Sequence, residues 1–121
     1  MARIKVKTSE LTGAALDWAV AEADGLRPYP HKGGFWVLDG KTNAPLPPFS
    51  TDWAHGGPLI DKYNIWLSGP IGERKEWSAA IDLSTDDVRG DTALIALCRA
   101  LVESKSGDEV WVPAELMVVA A

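Results

Sequence analysis

The chain has 121 residues, 46% of them hydrophobic and 24% charged, and carries a formal net charge of −5. That length and balance predict one packed domain over residues 1–121 and exclude a disordered chain. The acidic excess excludes general nucleic-acid binding, which draws on Lys and Arg to displace counterions from phosphates, and a single cysteine excludes an internal disulfide and a cysteine-cluster zinc site.

Arg3-Ile4-Lys5-Val6-Lys7 alternates polar and apolar residues and predicts a short edge strand whose cations form a local basic cluster. The opening residues are too polar for a signal peptide and no apolar run reaches membrane-spanning length, so an intracellular, cytoplasmic protein without membrane contacts is expected. A helix is predicted over Gly13–Ala23, stopped at Asp24-Gly25, with Leu16, Ala19, Val20 and Ala23 as its buried stripe. Trp18 falls off that stripe, beside Ala14 and Ala21, on a face that a second element or a ligand could cover. Leu26–Lys32, with Pro28 and Pro30, reads as a connector, and Phe35–Leu38 as a short strand closed by Asp39-Gly40. Lys41–Phe49 holds Pro45, Pro47 and Pro48, which cannot donate to a ladder, and reads as an extended surface loop.

In Ser50–Ile60, Ser50 or Thr51 can cap one helical turn, Gly56-Gly57 breaks it, and Pro58 opens another short helix ending near Tyr63. Ile65–Leu67 and Glu76–Ile81 predict a hairpin whose turn begins at Gly69-Pro70-Ile71-Gly72, and Leu83–Gly90 an acidic loop. The clearest helix follows, with Asp91 as its cap and Gly107 as its stop. Leu94, Leu97, Cys98 and Leu101 recur there at helical spacing, Ile95 and Val102 widen the stripe, and Arg99, Glu103 and Lys105 are left for water. Glu109–Val112 is a strand ended by Pro113. The order of elements predicts an α+β fold: a small antiparallel or mixed sheet with two main helices packed mainly on one face.

Three stretches carry a resemblance. Lys5 to Ala21 resembles the opening of the NinX-like family of small bacteriophage and prophage proteins. Thr51-Asp52-Trp53 with Gly56-Gly57-Pro58-Leu59-Ile60 resembles that family's middle motif, and Thr92 to Ala96, Ser104-Lys105, Gly107 to Val110 and Val112-Pro113 resemble its close. The resemblance implies a phage accessory protein acting in the host cytoplasm, and it supplies no reaction.

Six Trp against two Tyr and two Phe is the compositional anomaly. Core or lid packing is the plain reading for Trp77 and Trp111, although alternation sends Trp111 to the face opposite Val110 and Val112. Trp18 and Trp53 each follow an aspartate, and an aromatic plate beside a carboxylate suits a sugar, a base or a cationic side chain. The candidate ligand-binding set is therefore Asp17, Trp18, Thr51, Asp52, Trp53, His55, Gly56 and Gly57, with the two glycines offering bare amides to an anion. Simple capping competes with ligand contact at Asp52, and a plain helix break competes with anion binding at the glycines. His55 with Asp52 and Asp61 has no established metal-ligand spacing, Cys98 reads as an inert core thiol, and no nucleophile has a base and orienter at motif spacing. The expectation is a non-enzymatic protein without cofactor or metal that binds a host or phage protein through an aromatic, acidic surface. The alternative is a small-molecule binder for a nucleotide- or sugar-type ligand, with Trp18 and Trp53 at its pocket. A homodimer would cover the second face of the sheet through Trp18 and Trp111.

Overall fold

The computed structural model describes residues 2–73, 75–81 and 87–117. Its centre is α3, Ala93–Ser106, in which Leu94, Leu97, Cys98 and Leu101 are buried together with Ala93, Ala96, Ala100 and Val102. The apolar arc is wider than the stripe read from spacing because α3 is covered on several sides by other elements. Thr92, not Asp91, is the cap: its hydroxyl accepts the Ile95 N–H at 3.1 Å, leaving Asp91 one residue outside the helix. Gly107 ends the helix at φ 88, as expected of a glycine stop. Arg99 is not left for water. Its Nε donates to the Leu11 carbonyl at 3.0 Å and its Nη1 to the Arg89 carbonyl at 2.9 Å, so the guanidinium joins α3 to the segment before α1 and to the strand Val88–Gly90.

The α+β class holds, but the strands divide among three small antiparallel sheets. β1 (Arg3–Lys7) pairs with β8 (Glu109–Pro113) from opposite ends of the chain, Val6 facing Val110 and Lys5 facing Trp111. β2 (Arg27–His31), β3 (Gly34–Asp39) and β4 (Thr42–Pro45) form a meander. Two expectations are corrected here: the proline-bearing connector is β2, and the proline-rich loop contains β4. Both are edge strands, where a missing N–H can face away from the sheet. β5 (Ile65–Ile71), β6 (Glu76–Ile81) and β7 (Val88–Gly90) form the third sheet, which packs on α3. Of the acidic loop, Val88–Gly90 is thus a strand, while 82–86, including Asp82 and Asp86, lie outside the described residues. A Cβ on Gly90 would sit 2.6 Å from the Ala96 amide, so only glycine lets β7 lie this close to α3.

α1 runs Gly13–Ala23, as predicted, and is packed against α3, β2 and β8. This second cover corrects the reading of Trp18, which is fully buried. Its indole N–H donates to Glu22 Oε1 at 2.9 Å, Phe35 of β3 meets the ring edge-on at 5.2 Å, and the Arg3 guanidinium lies 5.7 Å from its centroid. Trp18 therefore cannot serve as a dimer contact.

α2 is one continuous helix, Trp53–Tyr63, with Pro58 inside it, rather than two turns divided at Gly56-Gly57. Ala54 and Pro58 are both exposed, so the turn in which Pro58 supplies no N–H lies on the solvent side of α2. Gly56 is buried and Leu59 faces the core, so tertiary packing outweighs the low helix propensity of the glycines. No helix among the described residues is long and apolar enough to cross a membrane.

Candidate functional site

The eight sequence-nominated residues separate into a buried platform and an exposed edge. Asp17 lies on the inner side of α1, 7% exposed, and its Oδ1 accepts the Ser50 N–H at 2.8 Å. Ser50 is buried too, and its hydroxyl donates to the Gly13 carbonyl at 3.3 Å. Both bonds tie the start of α1 to the residue that immediately precedes Thr51-Asp52-Trp53. Burial pushes the Asp17 carboxyl above the ordinary carboxylate range, and the hydrogen bonds from Ser50 oppose that shift.

Gly56 completes the platform. A Cβ there would lie 2.3 Å from the Phe49 carbonyl oxygen and 2.6 Å from Leu94 Cδ2, so α2 meets both the preceding loop and α3 at a distance no other residue allows. Its N–H already donates to the Asp52 carbonyl at 2.8 Å. That overturns the reading of Gly56 as a bare amide for an anion: the amide sits inside a helix, not at a broken end.

The exposed edge is the first turn of α2. Asp52, rather than Ser50 or Thr51, caps it, accepting the Ala54 N–H at 2.9 Å, which gives the capping role weighed for Asp52 a direct geometric basis. The other carboxylate oxygen lies 3.3 Å from His55 Nδ1. Trp53 projects from this turn with 53% of its surface exposed, Thr51 and His55 are exposed beside it, and its Cε3 lies 3.5 Å from where a Cβ on Gly57 would be. Trp53 thus stands beside Gly57, with the Asp52 carboxylate just before it and the His55 imidazole two residues after. Trp18 is not part of this surface, and nothing can stack on its ring without displacing Phe35 or Arg3.

Besides Trp66 of β5, 63% exposed, two other aromatic features lie outside the nominated set. The outward row of the β2–β3–β4 meander carries Tyr29 opposite Trp36, with His31 5.2 Å from Trp36 and the Tyr29 hydroxyl donating to Asn43 Oδ1 at 3.0 Å. Its signal in the sequence was the alternation Arg27, Tyr29, His31, masked by the intervening prolines. The second is a cleft of about 290 Å³ between α1 and the β1–β8 ribbon, lined by Arg3, Ala19, Glu22, Ser106, Glu109, Val110 and Trp111. Trp111 is 55% exposed, which corrects its reading as core or lid packing and follows the strand alternation that buries Val110 and Val112, whereas Trp77 packs half-buried against the core. Cys98 is buried, and that burial, then Asp17, pushes its thiol up to about 12. Among the described residues no group of three or more His, Cys, Asp or Glu is placed to hold a metal ion.

Fold and surface together define a small α+β protein with a largely buried central helix and indoles left at its surface. The family model described as bacteriophage P22 NinX matches residues 7–105, and the chain belongs to this family of phage proteins. No curated protein matches the chain.

Proposed function

We propose that the chain is a non-catalytic phage accessory module that binds a host or phage protein, with Trp53 as the anchoring side chain and Thr51, Asp52 and His55 around it. The observation that carries this reading is the contrast between the two sides of one helical turn. Behind, Asp17, Ser50 and Gly56 lock it to α1 and α3. In front, an indole is left more than half exposed. Large aromatic side chains dominate the binding energy of protein interfaces. Holding one rigidly before the partner arrives removes part of the ordering cost of association. The acidic net charge suits a partner surface that carries positive charge.

The test is affinity capture from infected and uninfected host lysates with the wild-type chain and with Trp53→Ala, whose side chain faces solvent. A specific partner is expected on the wild type and reduced roughly tenfold or more on Trp53→Ala, the scale of an interface anchor. Equal recovery on both proteins, or no partner above background in either lysate, overturns the reading.

A further inference from the structure

The charge of the chain is unevenly placed. Between Gly25 and Thr51 stand three cations, Arg27, Lys32 and Lys41, and one carboxylate, Asp39, a net of +2, which leaves −7 on the rest of the chain against the total of −5. That stretch is the β2–β3–β4 meander and the loop after it. All three cations are exposed, and no ion pair among the described residues uses any of them. The meander docks by the face that carries Val37, which is in the core, and Phe35, which packs against it. On the other face the register sets Tyr29, Trp36 and Pro45 in one row and Arg27, Leu38 and Asn43 in the next. Tyr29 and Trp36 are both part-exposed. His31 stands edge-on to both rings, 6.1 Å from Tyr29 and 5.2 Å from Trp36. Asp39 alternates with Val37 to the docked side, so the rows of the open face carry no carboxylate. The cations bracket the rings. Arg27, opposite Leu38, lies at the end of the β3–β4 turn with Lys41, and Lys32 lies in the β2–β3 turn at the far end. A hollow of about 310 Å³, lined by Gly25, Arg27, Leu38 and Gly40, opens at the Arg27 end.

We propose that the open face of the meander is a second binding site, which takes a short segment of single-stranded nucleic acid. Bases stack on Trp36 and Tyr29, and the flanking phosphates meet Arg27 and Lys41 at one end and Lys32 at the other. Aromatic rings on a sheet hold single strands of any sequence because every base has a π-face. Rows two residues apart in a strand lie roughly 7 Å apart, about one nucleotide of an extended single strand, and β2 from Arg27 to His31 spans roughly 13 Å. A strand therefore reaches both groups of cations, whereas a free mononucleotide reaches one. The −7 carried elsewhere opposes a duplex or a long polyanion, so the site is short and its affinity leans on the rings. It is separate from the Trp53 surface, and neither depends on the other.

The test titrates the full chain into fluorescein-labelled octathymidylate, reads anisotropy over a range of salt, and adds a duplex of the same length, thymidine monophosphate or capped octaglutamate as competitor. Saturable binding is expected, with a log–log salt slope of about −2, three phosphates at ~0.7 each. Trp36→Ala and Tyr29→Ala each weaken it roughly five- to hundredfold, and Trp36→Phe, which keeps a ring, weakens it less. Arg27→Gln and Lys41→Gln, at exposed positions, each flatten the slope by about 0.7, while Lys7→Gln on the β1–β8 ribbon leaves it unchanged. No saturable binding at the lowest salt, a slope near zero, or equal effects of Lys41→Gln and Lys7→Gln overturns the site. Full affinity in a folded Trp36→Ala overturns the stacking. Octaglutamate competing as well as the oligonucleotide overturns nucleic acid in favour of an acidic peptide, and equal competition by the duplex or the monophosphate overturns the single strand.

Discussion

Asp17 is a carboxylate placed where water has been largely removed, and its value lies in what it holds. The Ser50 N–H it accepts fixes the residue next to Thr51, Asp52 and Trp53, so a change at Asp17 reaches the exposed indole without touching it. Burial raises its folded-state pKa above the unfolded value. Its contribution to stability is therefore fully present below the unfolded pKa and is lost as pH rises through the folded one. Asp17→Asn keeps an oxygen for the Ser50 N–H and removes the charge. Relative to the wild type, the variant is expected to gain stability as pH rises from 3 to 7, read as the difference in urea midpoints at each pH. The opposite trend would show that the bonds from Ser50 outweigh desolvation. The two Asp-Trp pairs look alike in sequence, yet one tryptophan is sealed and the other is presented. Spacing placed Trp18 off the apolar stripe of α1, but its cover comes from Phe35 and Arg3, residues 15 or more positions away that no local pattern announces. Asp52 was legible because a cap acts over two residues.

Two neighbouring glycines separate the roles that α2 plays as an element. Gly56 faces backbone and a packed leucine, so Gly56→Ala forces α2 away from Phe49 and α3 and is expected to cost about 1–3 kcal/mol. Gly57 has an ordinary 3.5 Å contact with Trp53 and no unusual φ, so Gly57→Ala is expected to be neutral or to stabilise by roughly 0.5–1 kcal/mol through helix propensity. Denaturant unfolding of both variants checks the contrast, and equal effects would remove close packing as the reason for Gly56. The same pair explains a misreading: Gly-Gly-Pro signals a break, and the signal is sound for an isolated peptide. Contact with Phe49 and Leu94 reverses it. Elements whose pattern repeats over several turns or strand residues, α1, α3, β1, β6 and β8, were legible within a residue or so. β2 and β4 were not, because proline's local penalty disappears on an edge that sequence cannot locate.

At the scale of the molecule, the three sheets are not equally bound to the centre. β5–β6–β7 lies directly on α3, and β1–β8 reaches both α1 and α3. The β2–β3–β4 meander docks through β2 on α1 and by Phe35 against Trp18; across its strands Val37 alone is buried, and β4 is exposed throughout. A unit with so little buried surface opens locally at a fraction of the free energy of global unfolding. Amides of α3 from Leu97 to Val102, all but Arg99 fully buried, should exchange with deuterium only through global unfolding. Those linking β3 to β4 should exchange faster by about 100-fold or more. Native-state exchange with added denaturant makes the comparison, because α3 amides respond to denaturant and locally opening β4 amides do not. If both groups merged into one denaturant-dependent class, the meander would be as integral as α3, and Trp18 would be sealed for the lifetime of the folded chain. If they separate as expected, opening of the meander uncovers the Phe35 side of Trp18 while the turn that carries Trp53 stays anchored, through Ser50 to Asp17 of α1 and through Gly56 against Leu94 of α3.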